Sequence, residues 1–252
     1  MWLYLTQKQP ALVGLWPKLA SALSDTELVP LLASFKISPT VWASKAARLY
    51  AIENASSKIF IVQQQLVNPF LKGNPQGDEL KNYLQSRWAI SWDELVWPYD
   101  LMVSICKGLS RIVSVYVTDT ESVYILLSTR DAPDGYGDLM SIADFKARLK
   151  IILLGLNVQN MLPVPLPRTD DSYVDKLLAE RVQCKRIMNN DGRVMQHSKV
   201  VAVDMKIMYV GSDNAYPQYN DQHGIWIEEQ NNVGAWKTEY FEKAWDLAVY
   251  AD

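Results

Sequence analysis

The sequence predicts an α/β protein in which a mixed β-sheet is flanked by helices. Short runs rich in β-branched and aromatic residues alternate with segments of helical periodicity over most of the chain. Breaks rich in Gly, Pro, Asn and Asp separate them, as at 68–78 and 189–192. With 252 residues, 49% of them hydrophobic, the chain is long enough to build a substantial core. This alternation is typical of layered α/β folds.

The expected elements can be placed in order along the chain. Helical spacing begins at 11–52, where Ser24-Asp25 before Glu27 is typical of a helix start. Three prolines make 157–169 an extended connection. The other helices are expected at 79–88, 99–110, 141–155, 171–180 and 233–249. Strands are expected at 58–63, 112–118, 122–128, 182–188, 196–203, 207–212 and 224–228. We divide the chain into an N-terminal helical segment, 1–50, and an α/β domain, 51–252.

Composition limits the classes of function. The net charge is -3 and the pI is near 5.5, which disfavours a non-specific nucleic-acid binder. Membrane contact is expected to be peripheral, because no apolar run reaches membrane-spanning length. The apolar start, Met1 to Leu5, lacks a basic segment and does not indicate a signal peptide.

The cysteines and histidines are few. Cys106 and Cys184 lie far apart and are expected to be buried free thiols. Because His197 and His223 are the two histidines of the chain, a His/Cys metal site is not expected, and we predict no cofactor.

One segment carries recognisable chemistry. His197 and Lys199 lie two apart in a predicted strand and therefore share a face, whereas Asp204 has the opposite parity at the far end. If Met205-Lys206 formed a two-residue turn, Lys199 would lie opposite Ser212, and His197 opposite Asn214. A cation, an imidazole, a hydroxyl and an amide would then converge on one face, a set suited to an anionic phosphate. Met-Lys is not a preferred hairpin turn, and a longer loop would move this register.

The spacing resembles the HKD signature of the phospholipase D superfamily: His, one residue, Lys, four residues, Asp, then Gly-Ser-x-Asn six residues on. Every position is filled, by His197, Lys199, Asp204, Gly211, Ser212 and Asn214. The segment Ile59 to Leu66, which contains Gln64, resembles a strand that enters the same site in lipid-acting members. Asn214 to Pro217 resembles the tail of some lipase-type branches, including bacterial effectors. The resemblance covers roughly residues 50–250.

The resemblance implies roles for these residues and one half of a two-half architecture. His197 would attack phosphorus to form a phosphohistidine, or serve as the partner acid-base. Lys199 would hold the phosphate oxygens, with Asn214 and Ser212 as further donors. Gln64 and Tyr216 would contact substrate. Asp204 belongs to the same motif, but its parity favours a role in bracing the hairpin.

The second half-site is not found in this sequence. His223 has no Lys two residues later, so it does not repeat the motif. Three arrangements remain: a separate chain or fragment carrying the N-terminal half, which we prefer; a homodimer; or an inactive relative. Gln222 stands where many members have Glu, and Asp221 lies beside it. Either Asp221 takes the place of that Glu, or the orientation of His197 is weaker than usual.

Three functions therefore follow as hypotheses. The first is hydrolysis of a glycerophospholipid to phosphatidic acid and head group, favoured by the acidic pI, the aromatic content and the Tyr216-Pro217 tail. The second is a nuclease of the same superfamily, which would need a basic groove. The third is an inactive binding module. The sequence predicts no particular cellular compartment. The hypothesis of a secreted effector that acts at a membrane depends only on the resemblance of Asn214 to Pro217.

Overall fold

The computed structural model describes residues 2–6, 43–64, 66, 98–115, 122–128, 142–187, 197–212 and 222–250. The helix expected at 79–88 and residues 11–42 of the first expected helix lie outside these ranges. Among the described residues the elements are β1 (Trp2–Thr6), α1 (Ala43–Glu53), β2 (Ile59–Gln63), α2 (Tyr99–Val115), β3 (Val123–Ser128), α3 (Ile142–Val158), α4 (Asp171–Arg181), β4 (Val182–Ile187), β5 (Lys199–Val203), β6 (Ile207–Gly211), β7 (Gln222–Ile227), α5 (Gln230–Trp236), a π-helical turn (Lys237–Phe241), α6 (Glu242–Leu247) and β8 (Val249–Tyr250).

The eight described strands form one mixed sheet in the order β1-β7-β6-β5-β2-β3-β4-β8. β2, β3 and β4 are parallel, and β5 joins them antiparallel through β2. β5, β6, β7 and β1 continue as an antiparallel half. The predicted α/β class, with a mixed sheet flanked by helices, is confirmed.

Strand parity divides the core into two layers. In β2, Ile59 and Ile61 pack against helices α1 to α4. Phe60 and Val62 pack against residues 230–247, the C-terminal helical segment, which comprises α5, the π-helical turn and α6. The second layer is aromatic: the ring of Phe60 stacks on Tyr124 at 4.9 Å and meets Phe241 edge-on at 5.0 Å. Burial on both faces agrees with the near-continuous apolar sequence of the central strands.

The prediction of a strand at 112–118 is wrong for residues 112–115, which the structure describes. Residues 112–115 form the last turn of α2. The buried residues Met102, Ile105, Leu109 and Ile112 recur every three or four positions and continue one helical stripe, so packing overrides the β-branched composition. Residues 116–118 lie outside the described ranges.

The two ends of the chain also differ from expectation. Trp2–Thr6 lie in the segment expected to be helical but form β1, which pairs antiparallel with β7. The expected boundary at residue 50 falls inside α1. The helix expected at 233–249 runs from 230 to 247 with a π-helical turn inside it, and β8 follows.

The two cysteines are free and buried, as predicted. Burial raises the pKa of both thiols, that of Cys184 to about 12. Both therefore stay protonated and act as core residues. Within the described ranges, no helix has both the length and the apolar character to cross a membrane.

Candidate active site

The side chain of Lys199 lies against His197 at the start of β5. The Lys199 Nζ is 3.0 Å from His197 Nδ1 and 3.3 Å from Nε2, and it donates to the His197 carbonyl oxygen at 2.7 Å. The two side chains therefore meet, although the strand expected at 196–203 begins only at Lys199 and His197 precedes it. An imidazole and an ammonium group are held within one hydrogen bond of each other.

Lys199 is a buried cation. Its residue is 3% exposed, and it makes no ion pair with any carboxylate in the described part of the chain. Burial lowers its pKa to about 8, so it is still mostly protonated at neutral pH. A buried positive charge without a counter-charge favours an anion beside it.

His197 is exposed next to this cation. Partial desolvation, and then the positive charge of Lys199, hold the pKa of His197 below its ordinary value. The imidazole is therefore mostly neutral near pH 7 and keeps the lone pair that a nucleophile needs. In the resting site the Lys199 ammonium lies against both ring nitrogens, nearly equidistant from them.

The lowered pKa of Lys199 gives a prediction for stability. Between pH 8 and 10.5 the unfolded chain binds more protons at this site than the folded chain does, so the free energy of unfolding rises with pH in this window. We expect Lys199→Met to be more stable than wild type at pH 7 by up to about 3 kcal/mol. This advantage should shrink as the pH approaches 10.5.

Urea unfolding at several pH values measures this difference. The exposed Lys206→Met in the hairpin turn is the matched control and should show no such trend. Parallel pH curves for the Lys199 and Lys206 variants would contradict a buried, desolvated Lys199.

Asp204 lies at the far end of β5, roughly 16 Å along the strand from Lys199. Its carboxylate accepts from the amides of Ser56, Ser57 and Lys58 at 2.7–3.1 Å and from both serine hydroxyls. Burial alone raises its pKa, but these hydrogen bonds outweigh it and the pKa ends below the usual range. Asp204 thus ties the β5–β6 hairpin to the loop before β2, rather than bracing the hairpin alone.

The register of the hairpin differs from expectation by one residue. Val203 pairs with Ile207 and Lys199 pairs with Gly211, so Ser212 does not lie opposite Lys199. Asp204 and Met205 both have positive φ, 54° and 56°, and the Lys206 amide donates to the Val203 carbonyl at 3.0 Å. The connection is therefore a primed turn with one additional residue, and the slip changes the face of every later residue.

The structure describes some of the other predicted site residues and not others. Ser212 is half-buried directly after β6. Asn214, Tyr216 and Asp221 lie outside the described ranges, whereas Gln222 begins β7 and pairs with Thr6.

Gly211 leaves room for a side chain that sequence reasoning missed. A Cβ at Gly211 would lie 2.1 Å from the Tyr209 hydroxyl oxygen, so no larger residue fits without displacing Tyr209. Tyr209 is held by Trp226, at 5.2 Å between ring centroids, and by the Arg48 guanidinium 4.8 Å above its ring. Gly211, which pairs with Lys199, therefore leaves the space that the Tyr209 hydroxyl occupies.

Gln63 is a second residue that the sequence did not single out. It is the last residue of β2 and is buried, whereas the predicted Gln64 follows the strand and is half-buried. Val62 pairs with Val200, so the antiparallel register brings Gln63 beside Lys199. The parity of β2, with Ile59 and Ile61 on this face, is the signal that could have found it.

The other face of β5 is tied to the C-terminal helical segment. The Ser198 hydroxyl lies 3.2 Å from that of Tyr240 in the π-helical turn. In the part of the chain that the structure describes, no group of three or more His, Cys, Asp or Glu is placed to hold a metal ion.

Comparison with known proteins gives structural likenesses. No family model and no curated protein matches this chain. Phosphatidylserine synthase of Haemophilus influenzae Rd KW20 superposes with a TM-score of 0.45 and 12% identity, over 84% of this chain and 38% of its own. Nuc of Salmonella typhimurium, a phospholipase D family member, gives 0.42 and 13%, over 82% and 90%. NucT of Helicobacter pylori gives 0.39 and 10%, over 82% and 90%.

Proposed function

We propose that this chain supplies one half of a phosphodiesterase active site of the phospholipase D type. The observation that carries the proposal is the contact between the buried Lys199 ammonium and the neutral, exposed imidazole of His197. A cation binds the non-bridging phosphate oxygens, and the imidazole beside it can reach phosphorus.

In the proposed reaction, a ring nitrogen of His197 attacks phosphorus and the bond from phosphorus to the leaving alcohol oxygen breaks. A second imidazole gives its proton to that oxygen and then takes a proton from the water that hydrolyses the phosphohistidine. His223 lies in β7, which is separated from β5 by β6, and it lacks the Lys partner of His197. We infer that the second imidazole comes from another half-site.

We propose a glycerophospholipid as the substrate, cleaved to phosphatidic acid and head group. The net charge of -3 favours a substrate with one phosphodiester over a polyanion such as DNA. Our preferred source of the second half-site is a separate chain or fragment with the N-terminal half. The second candidate is a symmetric copy of this chain.

Release of choline from phosphatidylcholine vesicles, measured over a wide range of protein concentration, tests both the lipid substrate and the source of the second half-site. A homodimer gives a rate that rises with the square of concentration below the dimer dissociation constant. A separate half gives no release until that half is added. Native mass measurement of the same samples identifies the active assembly.

A parallel assay with single-stranded and duplex DNA tests the substrate class. Cleavage of DNA, with vesicles left intact by every assembly, would replace the lipid with a nucleic acid and keep the chemistry. Cleavage of neither substrate, with either half-site arrangement, would refute the proposed function.

A further inference from the structure

Gln63 is a buried polar side chain whose Oε1 has no described hydrogen-bond partner. It is 1% exposed, and its Oε1 accepts no hydrogen bond from any described group. A buried hydrogen-bond acceptor without a donor destabilises a fold. An apolar residue of similar shape, such as Leu, would avoid this loss of stability. The fold alone therefore gives no reason for a glutamine here.

The position of Gln63 in the sheet suggests what it serves. Because Val62 pairs with Val200, Gln63 and Lys199 are the next opposed residues of β2 and β5. Directly opposed residues share a face, with Cβ atoms about 5 Å apart. The amide of Gln63 and the ammonium of Lys199 therefore extend from neighbouring strands on the same side of the sheet.

The resting contacts of Lys199 turn its ammonium towards His197. One N–H donates to the His197 carbonyl oxygen, and the ammonium also lies within hydrogen-bond distance of both ring nitrogens of His197. An ammonium with three N–H donors that is turned towards His197 must redirect at least one of them to hold a phosphate oxygen. The N–H that leaves the ring needs another acceptor when substrate binds.

We propose that Gln63 is a positioning residue for Lys199, and this inference rests on the proposed function. When an anionic phosphate binds, one N–H of Lys199 turns to the phosphate and the N–H that leaves the His197 ring is accepted by Gln63 Oε1. The ammonium is thereby turned from the imidazole to the phosphate. A neutral amide suits this task because it accepts the N–H without neutralising the charge that binds phosphate.

Gln63→Leu tests the inference, and Gln159→Leu, at an exposed glutamine directly after α3, is the matched control. We expect kcat of the complemented enzyme to fall about tenfold or more in Gln63→Leu, with KM changed less than about twofold, because positioning for attack is lost and binding is kept. Gln63→Glu restores an acceptor and should recover part of kcat. Gln159→Leu should resemble wild type.

Thermal unfolding controls for folding. Removal of an unpaired buried acceptor should raise the Tm of Gln63→Leu by about 2–4 °C, so a loss of kcat cannot be attributed to unfolding. A lower Tm together with an unchanged kcat would overturn the inference.

A second measurement does not need catalysis. In protein labelled with ¹⁵N in its histidine rings, sodium sulfate should shift the ring nitrogens of His197 in wild type, as the Lys199 N–H leaves the ring. The shift should be absent or much smaller in Gln63→Leu and normal in Gln159→Leu. Equal shifts in all three proteins, or no shift in wild type, would overturn the inference. Absence of phosphodiesterase activity with these shifts present would refute the proposed function alone.

Discussion

His197→Ala should lower the rate of phosphodiester cleavage by the complemented enzyme at least about 10⁴-fold, to the background of the assay. The variant removes the proposed nucleophile, and the other histidine of the sequence, His223, has no lysine two residues later. His197 is exposed and its ring is bonded to Lys199 alone among the described groups, so the substitution should leave the fold intact. Release of choline from vesicles measures the rate.

The control for His197→Ala is Ser198→Ala. Ser198 is the next residue, but its hydroxyl contacts Tyr240 on the other face of the sheet. Loss of this hydrogen bond should change the rate less than about fivefold, because such a bond contributes roughly 1 kcal/mol. If His197→Ala kept a rate similar to that of Ser198→Ala, His197 would have no part in the chemistry.

The covalent intermediate provides an independent test of the same prediction. Wild-type protein quenched during turnover of a ³²P-labelled phosphodiester should retain label that is stable to alkali and lost in acid, as a phosphorus–nitrogen bond requires. His197→Ala should retain none. Label on wild type at a residue other than His197 would contradict the assignment of the nucleophile.

The contact between His197 and Lys199 could be predicted from the sequence because it depends on local geometry. Residues two apart are close in space whatever the strand pairs with, so the two side chains can meet even though His197 lies just before β5. The buried strands were also predictable, since runs such as Ile59 to Gln63 have the composition of a central strand. The fold class follows from the same local patterns.

The register of the hairpin could not be predicted because it depends on distant residues. Two residues with positive φ make the turn, and neither is the Gly or Asn that usually announces it. The turn is supported by Asp204, whose partners Ser56 to Lys58 lie about 150 positions earlier in the chain. Gln63 was missed for a similar reason: only the pairing of β2 with β5 places it beside Lys199.

Asp204→Ala should lower the free energy of unfolding by about 3 kcal/mol, because three backbone amides and two hydroxyls lose a charged acceptor at once. Asp204→Asn keeps one acceptor oxygen and tolerates the positive φ of this position, so it should lose less. Urea unfolding measures both. Asp175→Ala is the matched control, because its carboxylate is exposed and bonded to Lys150 alone, and its stability should change little.

The pH dependence of these variants has a definite sign. The pKa of Asp204 is lower in the folded chain than its ordinary value, so its contribution to stability is fully present above pH 4 and disappears as the pH falls through the folded pKa. Wild type and Asp204→Asn should therefore converge in acid. Below its melting temperature, Asp204→Asn should keep most of the kcat of wild type, since the carboxylate holds a loop remote from His197. A loss of kcat comparable to that of His197→Ala, in a folded protein, would instead place Asp204 in the chemistry.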